Sequence, residues 1–186
     1  PFFVESAYLT CAEIDGILSV AERKLASFDS ILDFGCGCGR ILRALHRRAP
    51  DARLFGTDID PEAVAWLTQH CGELAEYALN SHDPPSPYGD RSFDFIYSIS
   101  IFTHLPEEMQ FAWLGELKRL LRPGGTLLAS IHGPQLFGGR PQPEEDAFRA
   151  RGFAYVTGQG TPGLPDFYHT AYHTHAYIRE KWGPYF

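Results

Sequence analysis

The stretch Ser30-Ile31-Leu32-Asp33-Phe34-Gly35-Cys36-Gly37-Cys38-Gly39-Arg40 decides the fold of this chain. A short apolar run, an acidic residue near its end and three alternating glycines read as a buried strand turning tightly into a helix. Glycine accepts positive φ at little steric cost and lets the backbone come close to a ligand. In a parallel α/β sheet that turn lies at the carboxyl edge, where ligands bind. Dinucleotide sites use G-x-G-x-x-G. Here the third glycine comes one residue sooner, and Arg40 stands where the dinucleotide glycine would be. Asp33 points the same way: a carboxylate about 5 Å from a pyrophosphate would cost on the order of 3 kcal/mol per unit charge at an effective dielectric of about 20. The same carboxylate suits a cationic ligand.

Working outward, short apolar runs alternate with helical patterns, as a parallel sheet with covering helices requires. Residues 9–27 read as a helix with Leu9, Ile14, Ile17, Leu18, Ala21 and Leu25 near one face. Arg40–Ala49 is the helix after the glycine turn, stopped by Pro50. Arg53–Thr57 is a second strand ending at Asp58; Asp60 then caps a helix with Pro61 at its first position. Strands follow at 75–79, 92–98 and 126–131, with a helix over 106–121. Residues 133–167 are rich in Gly and Pro with little periodicity, and read as an irregular lid over about 134–170. Ala171–Trp182 reads as a last helix, with Tyr185-Phe186 starting a sixth strand. The expected fold is α/β: a Rossmann-like, doubly wound, mostly parallel sheet flanked by helices, its far edge incomplete in this chain. The 186 residues read as one domain, with a core over 28–132 and an acceptor region over 133–175.

Composition narrows the function. A net charge of -7 opposes a nucleic-acid footprint. Arg40, Arg43, Arg47 and Arg48 cluster, either as a solvated helix face or with Arg40 turned to the site. No apolar run approaches the roughly 18 residues of a membrane span. The start, Pro1-Phe2-Phe3-Val4-Glu5, has neither Met nor the pattern of a signal peptide, which suggests a processed, trimmed or partial chain. Four cysteines are too few for a disulfide scaffold, and Cys36-x-Cys38 lacks zinc spacing. All four read as reduced thiols of a cytoplasmic protein. The oligomeric state is not written in the sequence.

Four segments, taken in order, resemble class I S-adenosylmethionine-dependent methyltransferases, over roughly residues 30–132. Ile31–Arg40 resembles their first motif and Gly56-Thr57-Asp58-Ile59-Asp60-Pro61-Glu62 their second. Pro87–Asp94 resembles the approach to strand 4, and Leu120–Gly125 the approach to strand 5. The resemblance implies S-adenosylmethionine as cofactor and S-adenosylhomocysteine as product. Asp33, Gly35, Cys36, Gly37 and Gly39 would hold the methionine part; Asp58 would bind the ribose and Ile59 pack on adenine. Asn80 or Ser81 would reach the adenine edge, at a position often acidic in the family. Ser98 and Ile99 would line the methionine side. The family's sheet usually has seven strands, and five are visible here. The stretch from Asn80 to Gly133, with Ser100–Pro106 and His132-Gly133, also resembles a bacterial subgroup associated with glycan or secondary-metabolite gene clusters.

A hydroxyl acceptor usually needs a base. His104 after strand 4, His132 after strand 5, and His173 in the expected lid are the candidates, each weighed against a turn or packing role. His169-x3-His173-x-His175 lacks an acidic partner, so no metal is expected. The implied activity is methyl transfer to a small-molecule or saccharide acceptor, with O-methylation favoured. The competing readings are a non-catalytic S-adenosylmethionine-binding module and an NAD-dependent oxidoreductase.

Overall fold

The computed structural model describes residues 2–158 and 163–186. The chain divides into two compact units: residues up to Ser98 with Arg119–Leu128, and Ile99–Lys118 with Ala129–Phe186.

The first unit holds the sheet. Strands β1 (Ser30–Phe34), β2 (Arg53–Asp58), β3 (Glu76–Leu79), β4 (Phe93–Ser98) and β5 (Leu121–Ala129) stand in the order β3-β2-β1-β4-β5. β1 pairs in parallel with both β2 and β4, placing Asp33 beside Gly56 and Tyr97. Every residue of β1 is buried, as a central parallel strand covered on both faces must be. The Asp94 carboxylate accepts from the Asp29 and Ser30 amides at 2.8 and 2.9 Å, fixing the entry to β1. β5 begins at Leu121, earlier than the expected Thr126, and runs through Pro123. It is an edge strand, where a proline's missing N–H is tolerated.

Helix α1 (Phe2–Val20) buries Ala7, Cys11, Ile14 and Leu18. Leu9 and Ile17, expected on the core face, are 62% and 57% exposed. The helix is apolar on two sides, and the face carrying the smaller Ala7 and Cys11 is the buried one. Helix α2 (Arg40–Arg48) follows the glycine turn and buries Ile41, Leu42, Ala44 and Leu45. Helix α3 (Pro61–Cys71) starts as expected: Asp60 accepts from the Glu62 and Ala63 amides, with Pro61 in its first turn.

The second unit differs from its reading. The expected irregular stretch contains helix α5 (Gln142–Arg151) and strand β6 (Phe153–Val156); residues 159–162 of the expected lid lie outside the described residues. α5 buries only Phe148, so it has no apolar period to betray it. Within it Arg149 pairs with Glu145 at 2.9 Å, and Gly152, at φ 81°, closes the helix. The expected helix over 171–182 is replaced by strand β7 (Thr170–His173), antiparallel to β6. Short helical turns follow at His175–Tyr177 and Ile178–Trp182, started by the Thr174 hydroxyl accepting from the Tyr177 amide. Gly183–Tyr185 is a further helical turn, not the start of a strand. Helix α4 (Glu107–Leu120) lies across the boundary that separates the two units.

Candidate functional site

The glycine turn is held at the end of β2. The Gly35 and Cys36 amides both donate to the Thr57 carbonyl, at 2.9 and 2.8 Å. Gly35, Gly37 and Gly39 have φ of 86°, 52° and 71°, the left-handed region that favours glycine. The Gly37 amide donates to Asp58 Oδ2 at 2.7 Å, and the Asp60 amide to Asp58 Oδ1 at 3.0 Å. Asp58 is therefore oriented by the turn on one side and its own chain on the other. A carboxylate offers about four acceptor positions, and it keeps capacity for a ligand's hydroxyl groups. A Cβ on Gly37 would meet nothing within 4 Å, so the turn opens onto free space there.

Asp33 is 2% exposed. Burial pushes its carboxyl up to about 7, a shift that the Tyr97 hydroxyl and Arg40 oppose and the Asp58 charge reinforces. A cation brought to this carboxyl would reverse the shift. Cys36 is buried in the turn, and burial pushes its thiol well above its ordinary range, which disfavours the thiolate. Arg40 does not turn to the site: its guanidinium donates to Ser6 and Thr10 hydroxyls on α1.

The other positions lie at neighbouring strand ends. The Asn80 amide nitrogen donates to the Asp58 carbonyl at 3.0 Å, and its side-chain Nδ2 donates to the Ser81 carbonyl. Asn80 Oδ1 and the Ser98 hydroxyl are buried with no hydrogen-bond partner among the described residues, as is the Thr57 hydroxyl. Such groups cost about 1–3 kcal/mol each unless satisfied, and they end β2, follow β3 and end β4. Ile59 and Ile99 are half-buried, and Ser81 is exposed.

In the second unit, His104 Nδ1 lies 2.7 Å from the His169 carbonyl oxygen. A carbonyl only accepts, so Nδ1 carries the proton and Nε2 keeps its lone pair. Burial lowers the imidazole's pKa, against the His169 carbonyl's opposing pull and with His132 adding to it. Its ring stacks on Tyr168 and meets the half-buried His132 edge-on at 5.9 Å. His132 Nδ1 is buried without a partner among the described residues. His173 is placed otherwise than a lid residue: it is fully buried on β7, among Phe153, Tyr177 and Trp182. Its Nε2–H donates to Gln110 Oε1 at 2.9 Å, while Gln110 Nε2 donates to the Phe102 and Leu105 carbonyls. Burial, with His132, pushes the His173 imidazole down to about 4. A neutral ring with no access to solvent packs; it does not close over a site. Among the described residues, no three His, Cys, Asp or Glu side chains are grouped to hold a metal ion, and no helix is long and apolar enough to cross a membrane.

Gln110 escaped the sequence reading. It shares a face with Trp113, Leu114 and Leu117, and a polar residue on that stripe was the available signal.

Residues 31–125, just over half the chain, match a family described as a methyltransferase domain. The malonyl-[acyl-carrier protein] O-methyltransferase of Hahella chejuensis is 32% identical over 100 residues, covering 54% of this chain and 35% of that protein. The trans-aconitate 2-methyltransferase of Methylobacterium radiotolerans is 31% identical over 100 residues, covering 54% and 36%. The matches span about a third of the length of these curated relatives. The crystal structure of the PH0226 protein of Pyrococcus horikoshii OT3 is alike in fold, with a TM-score of 0.52 at 16% identity over 77% of this chain and 81% of that one.

Proposed function

Because the chain belongs to the methyltransferase domain family, we propose that it transfers a methyl group from S-adenosylmethionine to a small-molecule or saccharide acceptor, at oxygen. The observation that carries this reading is the wiring of Asp58 into the glycine turn beside the buried Asp33. The cofactor carries a sulfonium and an ammonium beside its carboxylate and has no phosphate, and a cation near Asp33 would favour the ionised form of a carboxyl that burial has pushed up to about 7. Asp58 would accept from the ribose hydroxyls with Ile59 against the adenine. Asn80 Oδ1 offers an acceptor to the adenine's amino group, and Ser98 and Ile99 line the methionine side together with Gly35, Gly37 and Gly39. When bound, the cofactor supplies a methyl group on a positively charged sulfur, already a good leaving group.

Alignment and exclusion of water then carry much of the rate. An oxygen acceptor still needs to lose its proton. His104 is the residue equipped to take it: with Nδ1–H donated to the His169 carbonyl, Nε2 keeps its lone pair, and burial lowers the ring's pKa, which favours the neutral form. The Hahella relative is named as an O-methyltransferase, which supports oxygen as the accepting atom. The test is calorimetric titration with S-adenosylhomocysteine and with NAD, followed by turnover over a panel of hydroxyl, carboxylate, amine and thiol acceptors. Saturable binding of the nucleoside thioether and methylation of hydroxyl or carboxyl compounds are expected. Binding of NAD alone overturns the reading, and binding without turnover on any acceptor reduces the protein to a binding module.

A further inference from the structure

We propose that Tyr168 is a positioning residue for His104, holding the imidazole so that its Nε2 lone pair stays open; this rests on His104 being the proton acceptor. The Tyr168 ring stacks on the imidazole with centroids 4.3 Å apart and planes 15° from parallel. The Tyr168 hydroxyl donates to the Ser100 carbonyl at 3.0 Å. The next residue's carbonyl, His169, accepts from His104 Nδ1. One dipeptide thus touches the imidazole in two ways: a ring against its face, and a carbonyl that selects its tautomer.

The holding segment is itself tied down. Ser100 sits at φ 61°, a conformation non-glycine residues seldom adopt unless their surroundings impose it. Its amide donates to the Ser130 hydroxyl at 2.7 Å, and its carbonyl is the one Tyr168 uses. On the other side, the His169 ring packs edge-on against Tyr155 of β6, whose hydroxyl donates to the Phe167 carbonyl. A strained, doubly bonded residue and a strand therefore fix the dipeptide, and the dipeptide fixes His104. Among the described residues, the titratable groups set against that ring are His132, Tyr168 and, through its carbonyl, His169, with Tyr155 packed on the His169 ring.

The test is nitrogen NMR of the full chain labelled at histidine, with the His104 signals assigned by their loss in His104→Asn. In the unaltered protein the Nδ1–H tautomer dominates. Tyr168→Leu keeps apolar bulk but removes both the aromatic plane and the hydroxyl. It should lower the ratio of Nδ1–H to Nε2–H by about three- to tenfold, the reach of one ordinary hydrogen bond. Tyr168→Phe, which keeps the stack, should restore most of that preference. In turnover, Tyr168→Leu should lower kcat while leaving KM and cofactor affinity in place. A His104 spectrum unchanged in Tyr168→Leu overturns the proposal, and Tyr168→Ala repeats the measurement should the leucine variant not fold. If the tautomer shifts as expected while His104→Ala keeps its turnover, the positioning stands and the reading of His104 as base falls.

Discussion

The two units build their sites from different materials. In the first, the backbone supplies the geometry: three glycines at positive φ, two amides on one carbonyl, and a carboxylate oriented by a third amide. All of it follows from a few consecutive residues at two strand ends. In the second, side chains supply it: His104, His132, Tyr168 and Gln110 reach their places through contacts between residues far apart in the chain. A site made of backbone is written locally, because glycine and proline restrict φ wherever they stand. A site made of side chains exists only after packing.

Removing the proposed base should produce the largest effect and bears on the second unit alone. His104→Ala is expected to lower turnover by about a hundred- to ten-thousandfold, with affinity for S-adenosylhomocysteine nearly unchanged by calorimetry. Collapse of cofactor binding would make His104 structural and dissolve the division of labour. Asp58→Ala is the matching cut in the first unit. It should weaken cofactor binding by about 1.5–3 kcal/mol, the worth of charge-assisted hydrogen bonds, and leave the His104 nitrogen spectrum as it was. Equal affinity in the variant would remove Asp58 from the site.

Local writing also explains what the sequence made legible. The turn from Asp33 to Gly39, the end of β2 at Asp58, and the Asp60-Pro61 helix start all stand where their residue types place them. Each is a signal confined to one or a few neighbours. The misses include two of the opposite kind and one helix without an apolar stripe. α5 is a run of charged residues anchored by Phe148 alone, so it reads as loop until its ion pairs and the Gly152 cap are seen together. Ala171–His173 reads as the start of a helix running to Trp182, and belongs instead to a strand because β6 lies ready to pair with it. His173 reads as a lid residue because nothing in its neighbourhood announces Gln110, whose own signal is one polar residue on an apolar stripe. Tertiary pairing, not propensity, decided the last two.

Within the glycine turn, two alanine substitutions separate backbone strain from crowding. Gly37→Ala meets no neighbouring atom, so its cost is the strain of a left-handed residue alone, about 1 kcal/mol. Gly39→Ala carries the same strain and also sets its Cβ 2.7 Å from Leu67 Cδ2 in the core. It should cost about 2 kcal/mol by urea unfolding. The order reverses in ligand binding, where Gly37 opens onto free space and Gly39 is filled from behind. Equal effects of the two in both assays would mean the turn is not the rigid cradle its φ values describe.

The smallest effect is a slope. Asp33 and His173 are buried groups whose pKa values move in opposite directions, one in each unit. Asp33 is raised from 3.8 to about 7, so its contribution is fully present below pH 3.8 and is lost as pH rises through about 7. His173 is lowered from 6.5 to about 4, so its contribution is present above pH 6.5 and is lost as pH falls through about 4. Between about pH 4 and 6.5 the two slopes have opposite sign, each at most about 1.4 kcal/mol per pH unit, and largely cancel in a chain that unfolds as one. Asp33→Asn removes one slope and leaves stability falling as the solution is acidified from pH 6.5. His173→Gln removes the other and leaves stability falling as pH rises toward 7. Urea midpoints for the three proteins at half-unit steps of pH measure this. If the unaltered chain instead shows two transitions with opposite pH dependence, the units unfold separately and each slope belongs to its own unit. If Asp33→Asn has the same pH profile as the unaltered chain, the Asp33 carboxyl titrates in its ordinary range and the argument for a cation beside it loses its electrostatic support.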